Sequence, residues 1–158
     1  MNITRFTDYS LRVLIYLSLH KEQLVTIKEV ADSYGISKNH LMKVVQELSL
    51  KGYITSIRGK NGGIKLSRAP SLINVGELVR LNEQGSTLVE CLGEDNQCVI
   101  TPACQLKHML AEAMECFFQS LEQYTLADLV KGPDKEQLIN IFTLELAKDG
   151  ASHSSALE

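Results

Sequence analysis

The feature that most constrains the fold is the pattern of residues 26–48, which predicts two helices joined by a short turn. Thr26 and Glu29 match a capping box, the sequence signature of a helix start. Gly35 then ends that helix in the left-handed conformation, and Ser37 caps a further helix. The apolar residues of the further helix form one buried stripe: Leu41, Val44, Val45 and Leu48. Two helices joined through glycine are typical of a DNA-binding helix-turn-helix.

A first helix is expected before this unit, over residues 7–20. Thr7 is the predicted N-cap, and Asp8 adds negative charge at the positive end of the helix dipole. Apolar residues crowd the segment LRVLIYL, so this helix should be mostly buried.

The polar face of the helix that Ser37 caps is the predicted reading surface. On a helical wheel Asn39, Lys43 and Gln46 point away from the apolar stripe. Asn and Gln side chains can pair with adenine, and Lys can pair with guanine. Because the first turn of a recognition helix usually contacts the bases, the following residues are assigned to DNA: Ser37, Lys38, Asn39, His40 and Lys43. A merely solvated helix face is the alternative.

The next segment, residues 52–67, predicts two short strands around a tight, glycine-rich turn. Asn61 followed by glycine is the strongest short hairpin signal, and Arg58, Lys60 and Lys65 make the hairpin basic. A basic hairpin after a recognition helix is the wing of a winged helix, which contacts phosphates or the minor groove. Arg58, Lys60 and Asn61 are therefore assigned to DNA. A phosphate-binding nucleotide loop is the competing interpretation, and it fails because the strand-to-helix context is missing.

The charge distribution separates this front part from the rest of the chain. Residues 1–70 hold eleven Lys/Arg and five Asp/Glu, a net charge of +6, whereas residues 71–158 hold five and fourteen, a net charge of −9. A basic segment attracts the phosphate backbone of nucleic acid, and an acidic segment does not. Residues 1–70 are therefore expected to form a winged helix-turn-helix DNA-binding domain.

The acidic part is predicted to be helical. Asn74 caps a short helix, a long helix starts near Thr101 and Pro102, and Thr125 with Asp128 caps another short helix. The long helix carries an apolar stripe suited to a second helix: Leu106, Leu110, Ala113, Phe117, Leu121 and Tyr124. We expect a homodimer seam there, with ordinary core as the alternative. The predicted fold is thus mainly α, with a small β-hairpin and a long dimerisation helix.

Three cysteines, Cys91, Cys98 and Cys104, fall within fourteen positions between the short helix and the long helix. The sequence has neither a signal-peptide pattern nor an apolar run that could span a bilayer, so we expect a cytoplasmic protein with reduced thiols. Zinc sites favour cysteines two to four residues apart, which this loop lacks. The wider spacing suits an iron–sulfur cluster, with three unligated thiols as the alternative.

Residues 71–130 are accordingly assigned to the cluster-binding loop and the dimerisation helix. Cys116 is expected to be a small buried apolar residue, and Glu115 to lie on a solvated face. Residues 131–158 should contain a helix over 134–148 and then a disordered tail, whose final Leu-Glu resembles a cloning scar. No catalytic arrangement can be identified in the sequence, so we expect a protein that is not an enzyme.

Several motifs together resemble a known family. They are FTDYSLRVLIYL, YGISKNHLMKVVQELSLKGYI, the wing sequence RGKNGG, VGELVR, the cysteine loop and YTLADLV, and they extend over most of residues 1–130. In these motifs the chain resembles the winged-helix iron–sulfur transcriptional repressors of the IscR/NsrR type. ITPAC, YTLADLV, RGKNGGI and Asp8 look most like the nitric-oxide-sensitive branch.

This resemblance implies a homodimeric repressor that binds double-stranded operator DNA under the control of a cluster that senses nitric oxide. It implies one cluster per subunit, held by Cys91, Cys98 and Cys104, and it favours a four-iron over a two-iron cluster. Asp8 matches an acidic ligand that the partner subunit supplies in some relatives, with His108 or solvent as the alternative fourth ligand. The alternative functions are a regulator of cluster assembly and a cluster-carrying adaptor that does not bind DNA.

Overall fold

The computed structural model of the chain describes residues 2–154, and the side chains of residues 2–146. Within this range the helices and strands follow in the order α1 (Arg5–Leu19), α2 (Ile27–Tyr34), α3 (Lys38–Leu50), β1 (Ile54–Ile57), β2 (Gly63–Leu66), α4 (Val75–Asn82), α5 (Gln105–Glu122) and α6 (Pro133–Ser154). Short 3₁₀ turns cover Pro70–Leu72, Glu90–Leu92, Thr101–Ala103 and Leu126–Val130. The predicted fold class, mainly α with a small β-hairpin, is confirmed.

The core is built around α1, whose sequence is apolar on most sides. This helix packs against α3, β2, α4 and the turn Leu126–Val130. The most deeply buried side chains come mainly from these elements: Val13, Leu14, Leu17, Leu41, Leu48, Leu78 and Leu126. Removal of this apolar surface from water is the main force that holds the helices together.

The start of α1 differs from the prediction. Thr4, not Thr7, is the N-cap, and its hydroxyl accepts a hydrogen bond from the backbone N–H of Thr7 at 3.2 Å. Thr7 is fully buried and donates through its own hydroxyl to the carboxylate of Glu83. The prediction is wrong because a local capping pattern cannot show that a residue at the end of α4 binds this threonine.

Both predicted ends of α2, the first helix of the helix-turn-helix, are confirmed. The Thr26 hydroxyl accepts from the N–H of Glu29 at 3.1 Å, and the Glu29 carboxylate accepts from the N–H of Thr26 at 2.6 Å. Gly35 ends α2 with a φ of 62°, a conformation that L-residues rarely adopt. Ser37 occupies the N-cap position of α3, but its side chain makes no capping hydrogen bond.

The wing is an antiparallel hairpin that is anchored in the core. Ile54 of β1 pairs with Leu66 of β2, and the side chains of Ile54 and Ile64 are buried. Ile64 also pairs with Val25, whose carbonyl accepts from the Ile64 N–H at 2.8 Å. Because burial of these side chains determines the register, β2 is held from two sides independently of the turn.

The glycine-rich turn of the hairpin lies where the sequence predicts it. Residues 58–62 separate the paired ends of the strands. The left-handed residue is Gly59, with a φ of 115°, and the N–H of Gly62 donates to the Gly59 carbonyl at 3.0 Å. Lys60 and Asn61 are the central residues of this turn, so the turn that the sequence predicts at Asn61 is confirmed.

α4 and α5 pack against each other at very short range. Asn74 caps α4 as predicted and accepts from the N–H of Glu77 at 2.9 Å. A Cβ atom at Gly76 would lie 2.3 Å from the backbone nitrogen of Glu122, so only glycine fits at this contact. α5 begins at Gln105 instead of near Thr101, because a separate 3₁₀ turn covers Thr101–Ala103.

The apolar stripe predicted along α5 divides between two faces. Leu110, Phe117 and Leu121 are half-buried, on the side of the helix that meets α4. A second face is exposed, with spacings of three and four residues from Leu106 through Met109 and Ala113 to Cys116, and Tyr124 follows eight residues later. The prediction that Cys116 is buried is therefore wrong for this chain, because Cys116 lies on the exposed face.

α6 folds back onto the helix-turn-helix. The side chain of Phe142 is only 5% exposed, and its ring meets Tyr16 and Tyr34 edge to face, with centroids 5.1 and 5.0 Å apart. The helix continues to Ser154, so residues 150–154 are helical where the sequence predicts a disordered tail. Positions 155–158, with the final Leu-Glu, lie outside the described residues.

Of the helices within 2–154, none is apolar over enough length for a bilayer crossing.

Candidate nucleic-acid interface and cysteine loop

The predicted reading surface of α3 faces solvent. Leu41, Val44, Val45 and Leu48 are buried, as predicted. The five residues of this surface that are assigned to DNA are all exposed: Ser37, Lys38, Asn39, His40 and Lys43. Within residues 2–146 their side chains have no intramolecular hydrogen bond or ion pair that would compete with a ligand. The arrangement therefore offers unpaired donors and acceptors beside a rigid apolar stripe.

The residues assigned to the wing tip are exposed as well. Arg58, Lys60 and Asn61 lie in the loop between β1 and β2. β1 lies against α3, and the hydroxyl groups of Ser49 on α3 and Ser56 on β1 are 3.2 Å apart. These contacts place the cationic tip at a defined position relative to the recognition helix.

The segment that carries the three predicted ligands connects α4 to α5. Cys91 lies in the 3₁₀ turn Glu90–Leu92 and is half-buried, Cys98 is exposed, and Cys104 is half-buried at the N-cap position of α5. All three thiols are free of disulfides. The structure thus places the cysteines on one connection, between two helices that pack against each other.

Local hydrogen bonds shape this cysteine loop. The Glu90 carboxylate accepts from the N–H of Gln97 at 2.6 Å, and the Asn96 side-chain oxygen accepts from the N–H of Cys98 at 3.0 Å. Asn96 also donates to the hydroxyl of Thr101 at 2.9 Å. Most of the loop beyond these bonds is open to solvent, including Val99, which is 91% exposed.

The donor chemistry of the loop fits an iron–sulfur cluster, although the single chain does not pre-assemble the site. Among the described residues, no three His, Cys, Asp or Glu side chains come close enough together to hold one metal ion. Thiolates are the usual protein ligands of such clusters, and the loop supplies three. Since the loop is held mainly by exposed hydrogen bonds, it can be reshaped around a cluster at small cost.

Asp8, the predicted fourth ligand, is engaged elsewhere in the chain. Its carboxylate accepts from Arg12 at 2.9 and 3.0 Å, one helical turn further along α1. His108, the alternative ligand, is exposed on α5. Neither residue forms a three-donor group with the cysteines within the described part of this chain. A ligand role for Asp8 would require that it exchange or share its bond to Arg12.

One residue of the site that sequence reasoning missed is Glu83, the first residue after α4. Its carboxylate accepts hydrogen bonds from the Thr4 N–H at 2.9 Å, from the Thr4 hydroxyl at 2.8 Å and from the Thr7 hydroxyl. Burial by itself would raise the pKa of Glu83, but the hydrogen bonds from Thr7 and Thr4 outweigh it and lower the pKa. The start of the cysteine loop is thereby tied to the start of α1.

A second contact that the sequence did not reveal joins α4 to α5. Arg80 forms ion pairs with Glu115 and Glu122, both at 2.8 Å, and its guanidinium lies 4.6 Å from the centroid of the Phe118 ring. The hydrogen bond from Arg80 lowers the pKa of Glu115. Glu115 is therefore not simply solvated, as predicted, but holds the two helices on either side of the loop together. No local signal relates partners that are 35 and 42 residues apart.

An exposed recognition helix and a basic wing define a winged helix-turn-helix regulator that binds DNA. The chain belongs to the Rrf2 family, whose sequence model, described as "Iron-dependent Transcriptional regulator", matches residues 3–132. Members of this family are transcriptional regulators and not enzymes, as expected from the sequence. The family match ends just before α6 begins at Pro133.

Similar proteins carry the same regulatory description. The chain is 53% identical over 136 residues to the "HTH-type transcriptional regulator NsrR" of Bacillus licheniformis, which covers 85% of this chain and 95% of that protein. It is 47% identical over 147 residues to the regulator of the same name from Bacillus subtilis, across 92% of this chain and 99% of that protein. These similarities confirm the predicted resemblance.

Solved structures of the same class share the fold. The IscR structure from T. potens aligns with a TM-score of 0.66 at 24% identity, over 82% of this chain and 86% of that chain. The structure of CymR, the global cysteine regulator of B. subtilis, aligns with a TM-score of 0.61 at 26% identity, over 82% of this chain and 95% of that chain.

Proposed function

We propose that the chain is a homodimeric transcriptional repressor whose affinity for operator DNA is controlled by an iron–sulfur cluster that responds to nitric oxide. The observation that carries the proposal is the presence of three free cysteines on the single connection between α4 and α5. The match to a family described as iron-dependent supports it. The nitric-oxide signal rests on the resemblance of ITPAC, YTLADLV and the wing to the nitric-oxide-sensitive branch.

In this proposal Cys91, Cys98 and Cys104 hold the cluster of each subunit, a four-iron cluster in preference to a two-iron one. Asp8 of the partner subunit is the favoured fourth ligand, after release from Arg12, and His108 or solvent is the alternative. When bound, the cluster would supply iron that can react with nitric oxide. The protein contributes the thiolates, a loop that ligation can order, and a connection from that loop to the DNA-binding domain.

The connection follows contacts within one subunit. Glu83 ties the start of the loop to Thr4 and Thr7 at the beginning of α1. α1 packs against α3, the proposed recognition helix. Ordering of the loop would therefore stabilise one position of α1, and with it the spacing of the two recognition helices of a dimer. Loss of the ligation would relax both, and a differential of a few kcal/mol is enough to release most of the bound DNA.

The decisive experiment measures DNA affinity anaerobically for holo, nitrosylated and apo protein, at one salt concentration, on a duplex carrying the promoter of its own gene. We expect tight binding by the holo protein only. Equal affinity in all three states would refute the sensor. Loss of affinity in the apo protein but not after nitric oxide would favour the cluster-assembly regulator, and no binding in any state would favour the adaptor.

The ligands are tested by the visible absorbance of anaerobically purified variants. Replacement of Cys91, Cys98 or Cys104 by Ser should each remove most of the cluster absorbance. Cys116→Ser is the matched control and should keep the cluster absorbance, because Cys116 lies within α5 and outside the loop that carries the three proposed ligands. Asp8→Ala should retain a more labile cluster. A Cys98→Ser protein with full cluster content would contradict the proposed three-thiol site.

A further inference from the structure

A recess in the surface between α1 and α3 borders the predicted reading face. It has a volume of about 220 Å³ and is lined by residues of both helices: Arg5, Phe6, Tyr9, His40, Lys43 and Val44. His40 and Lys43 belong to the surface assigned to DNA from the sequence, whereas the α1 residues were not assigned to any function. The recess therefore extends the predicted DNA surface onto a helix outside the helix-turn-helix.

The lining combines an apolar floor with cationic sides. Val44 is buried and Phe6 is packed against the core, so the floor is rigid. Arg5 and Lys43 are exposed on the rim, and Tyr9 is half-buried between them and the core. An apolar floor with cationic and hydroxyl donors at its edge matches the sugar–phosphate backbone of DNA. Arginine, lysine and tyrosine are among the side chains that contact DNA phosphates.

The position of Arg5 at the start of α1 does not stabilise the folded chain. It lies in the first turn of α1, where the helix dipole disfavours a cation. Within residues 2–146 it has no ion pair or hydrogen-bond partner, whereas Arg12, further along the same helix, is paired with Asp8. An exposed, unpaired cation at an unfavourable position beside the reading face indicates that its partner is an external anion.

We propose that this recess holds one sugar–phosphate unit of the bound DNA, with Arg5, the Tyr9 hydroxyl and Lys43 donating to the phosphate. The inference rests on the proposed DNA-binding function and deepens it. Lys43, assigned to base contacts from the sequence, becomes a phosphate contact, which leaves base reading to Ser37, Lys38, Asn39 and His40. The backbone strand that borders the groove entered by α3 then passes over the start of α1.

The test compares the salt dependence of binding by wild-type holo protein and variants, on the promoter duplex and on an unrelated duplex of equal length. A lost phosphate contact makes the slope of log K against log salt shallower by about 0.9 and weakens binding on the order of tenfold near ~0.1 M salt. We expect this for Arg5→Ala and for Lys43→Ala, by the same factor on both duplexes. Arg5→Lys keeps the charge and should keep the slope. Tyr9→Phe should weaken binding to both duplexes a few-fold with the slope unchanged.

The matched control is Lys135→Ala, which removes an exposed cation from α6, outside the DNA-binding domain, and should leave the slope unchanged. Arg5 is exposed, so the Arg5→Ala protein should unfold at the wild-type temperature. A wild-type slope for Arg5→Ala, with wild-type protein still binding the promoter, overturns the phosphate contact while the proposed function stands. Loss of discrimination between the two duplexes in Lys43→Ala would instead restore Lys43 to base reading. Wild-type protein that does not bind the promoter at all refutes both proposals.

Discussion

At the scale of single residues, Glu83 joins the start of the cysteine loop to the start of α1. One carboxylate accepts three hydrogen bonds from two threonines that begin α1, and Thr7 is completely buried beside it. Hydrogen bonds to an ionised acceptor are among the stronger ones in proteins. Glu83 is also the first residue after α4, on the connection that carries Cys91 eight residues later.

Replacement of Glu83 by Gln should destabilise the protein by about 1–3 kcal/mol at neutral pH, because a neutral amide accepts these bonds less strongly. The pKa of Glu83 is lowered in the folded state, so its contribution is present above the ordinary carboxyl pKa of 4.5 and is lost as the pH falls further. Thermal unfolding of both proteins at pH 7 and pH 4 measures this. The difference between wild type and variant should shrink at the lower pH, and a constant difference would contradict the ionised contact.

Substitutions on α3 and on the wing should change different properties of DNA binding. Asn39→Ala should cost about 1–3 kcal/mol of discrimination between the promoter and unrelated DNA, since a base contact is lost. Arg58→Ala should weaken binding to both duplexes and flatten the salt dependence, since a phosphate contact is lost. Binding titrations over a range of salt concentrations separate the two effects. Unchanged promoter affinity in both variants would refute the assigned reading surface.

At the scale of elements, α5 has two apolar faces with different partners. One is half-buried against α4 and is reinforced by the ion pairs of Arg80. The other is exposed, with Leu106 at 60% and Met109 at 64%. An exposed apolar stripe at a spacing of three and four residues is suited to a second helix. The proposed dimer seam therefore lies on the face of Met109 and Cys116, rotated from the stripe predicted from the sequence.

Aspartate substitutions on the two faces should have different consequences. Met109→Asp would place an unpaired charge in the seam and should yield a folded monomer, because burial of such a charge costs several kcal/mol. Phe117→Asp should instead lower the unfolding temperature, since Phe117 packs within the chain. Light scattering and thermal melts distinguish the two. Ala111→Asp, on the opposite side of α5 from the seam, is the control and should remain dimeric; a dimeric Met109→Asp protein would place the seam elsewhere.

At the scale of the whole molecule, α6 returns to the DNA-binding domain although it lies beyond the family match. Phe142 packs between Tyr16 of α1 and Tyr34 of α2, and the Tyr34 hydroxyl donates to the carbonyl of Arg12 at 3.0 Å. Burial raises the pKa of Tyr34, which keeps the phenol neutral and able to donate. The last helix thereby stabilises the position of α2 relative to α1.

Phe142→Ala should destabilise the protein by about 3–5 kcal/mol, the usual cost of removing a buried ring. Because the lost contacts are with α1 and α2, affinity for DNA should fall as well. Urea unfolding and promoter binding measure the two effects. Leu144→Ala, on the exposed side of the same helix, is the control and should change both little. Wild-type stability of Phe142→Ala would show that α6 does not contribute to the DNA-binding domain.

The local sequence was sufficient for features that depend on neighbours in the chain. The capping box at Thr26, the left-handed end of α2 at Gly35 and the buried stripe of α3 were all predicted, because each depends on residues within one or two turns. The hairpin was predicted for the same reason. The three cysteines on one connection are likewise a property of the sequence alone, and so is the family resemblance that they support.

Only the tertiary structure decided the contacts between residues distant in sequence. Thr7 donates a hydrogen bond to Glu83 and is not the N-cap of α1. Cys116 faces outward because α4 covers a different side of α5. The pairing of Ile64 with Val25, which anchors the wing in the core, also joins residues that are distant in sequence. Periodicity shows that a helix has an apolar face but not which neighbour covers it, since that choice depends on packing energies summed over the whole chain.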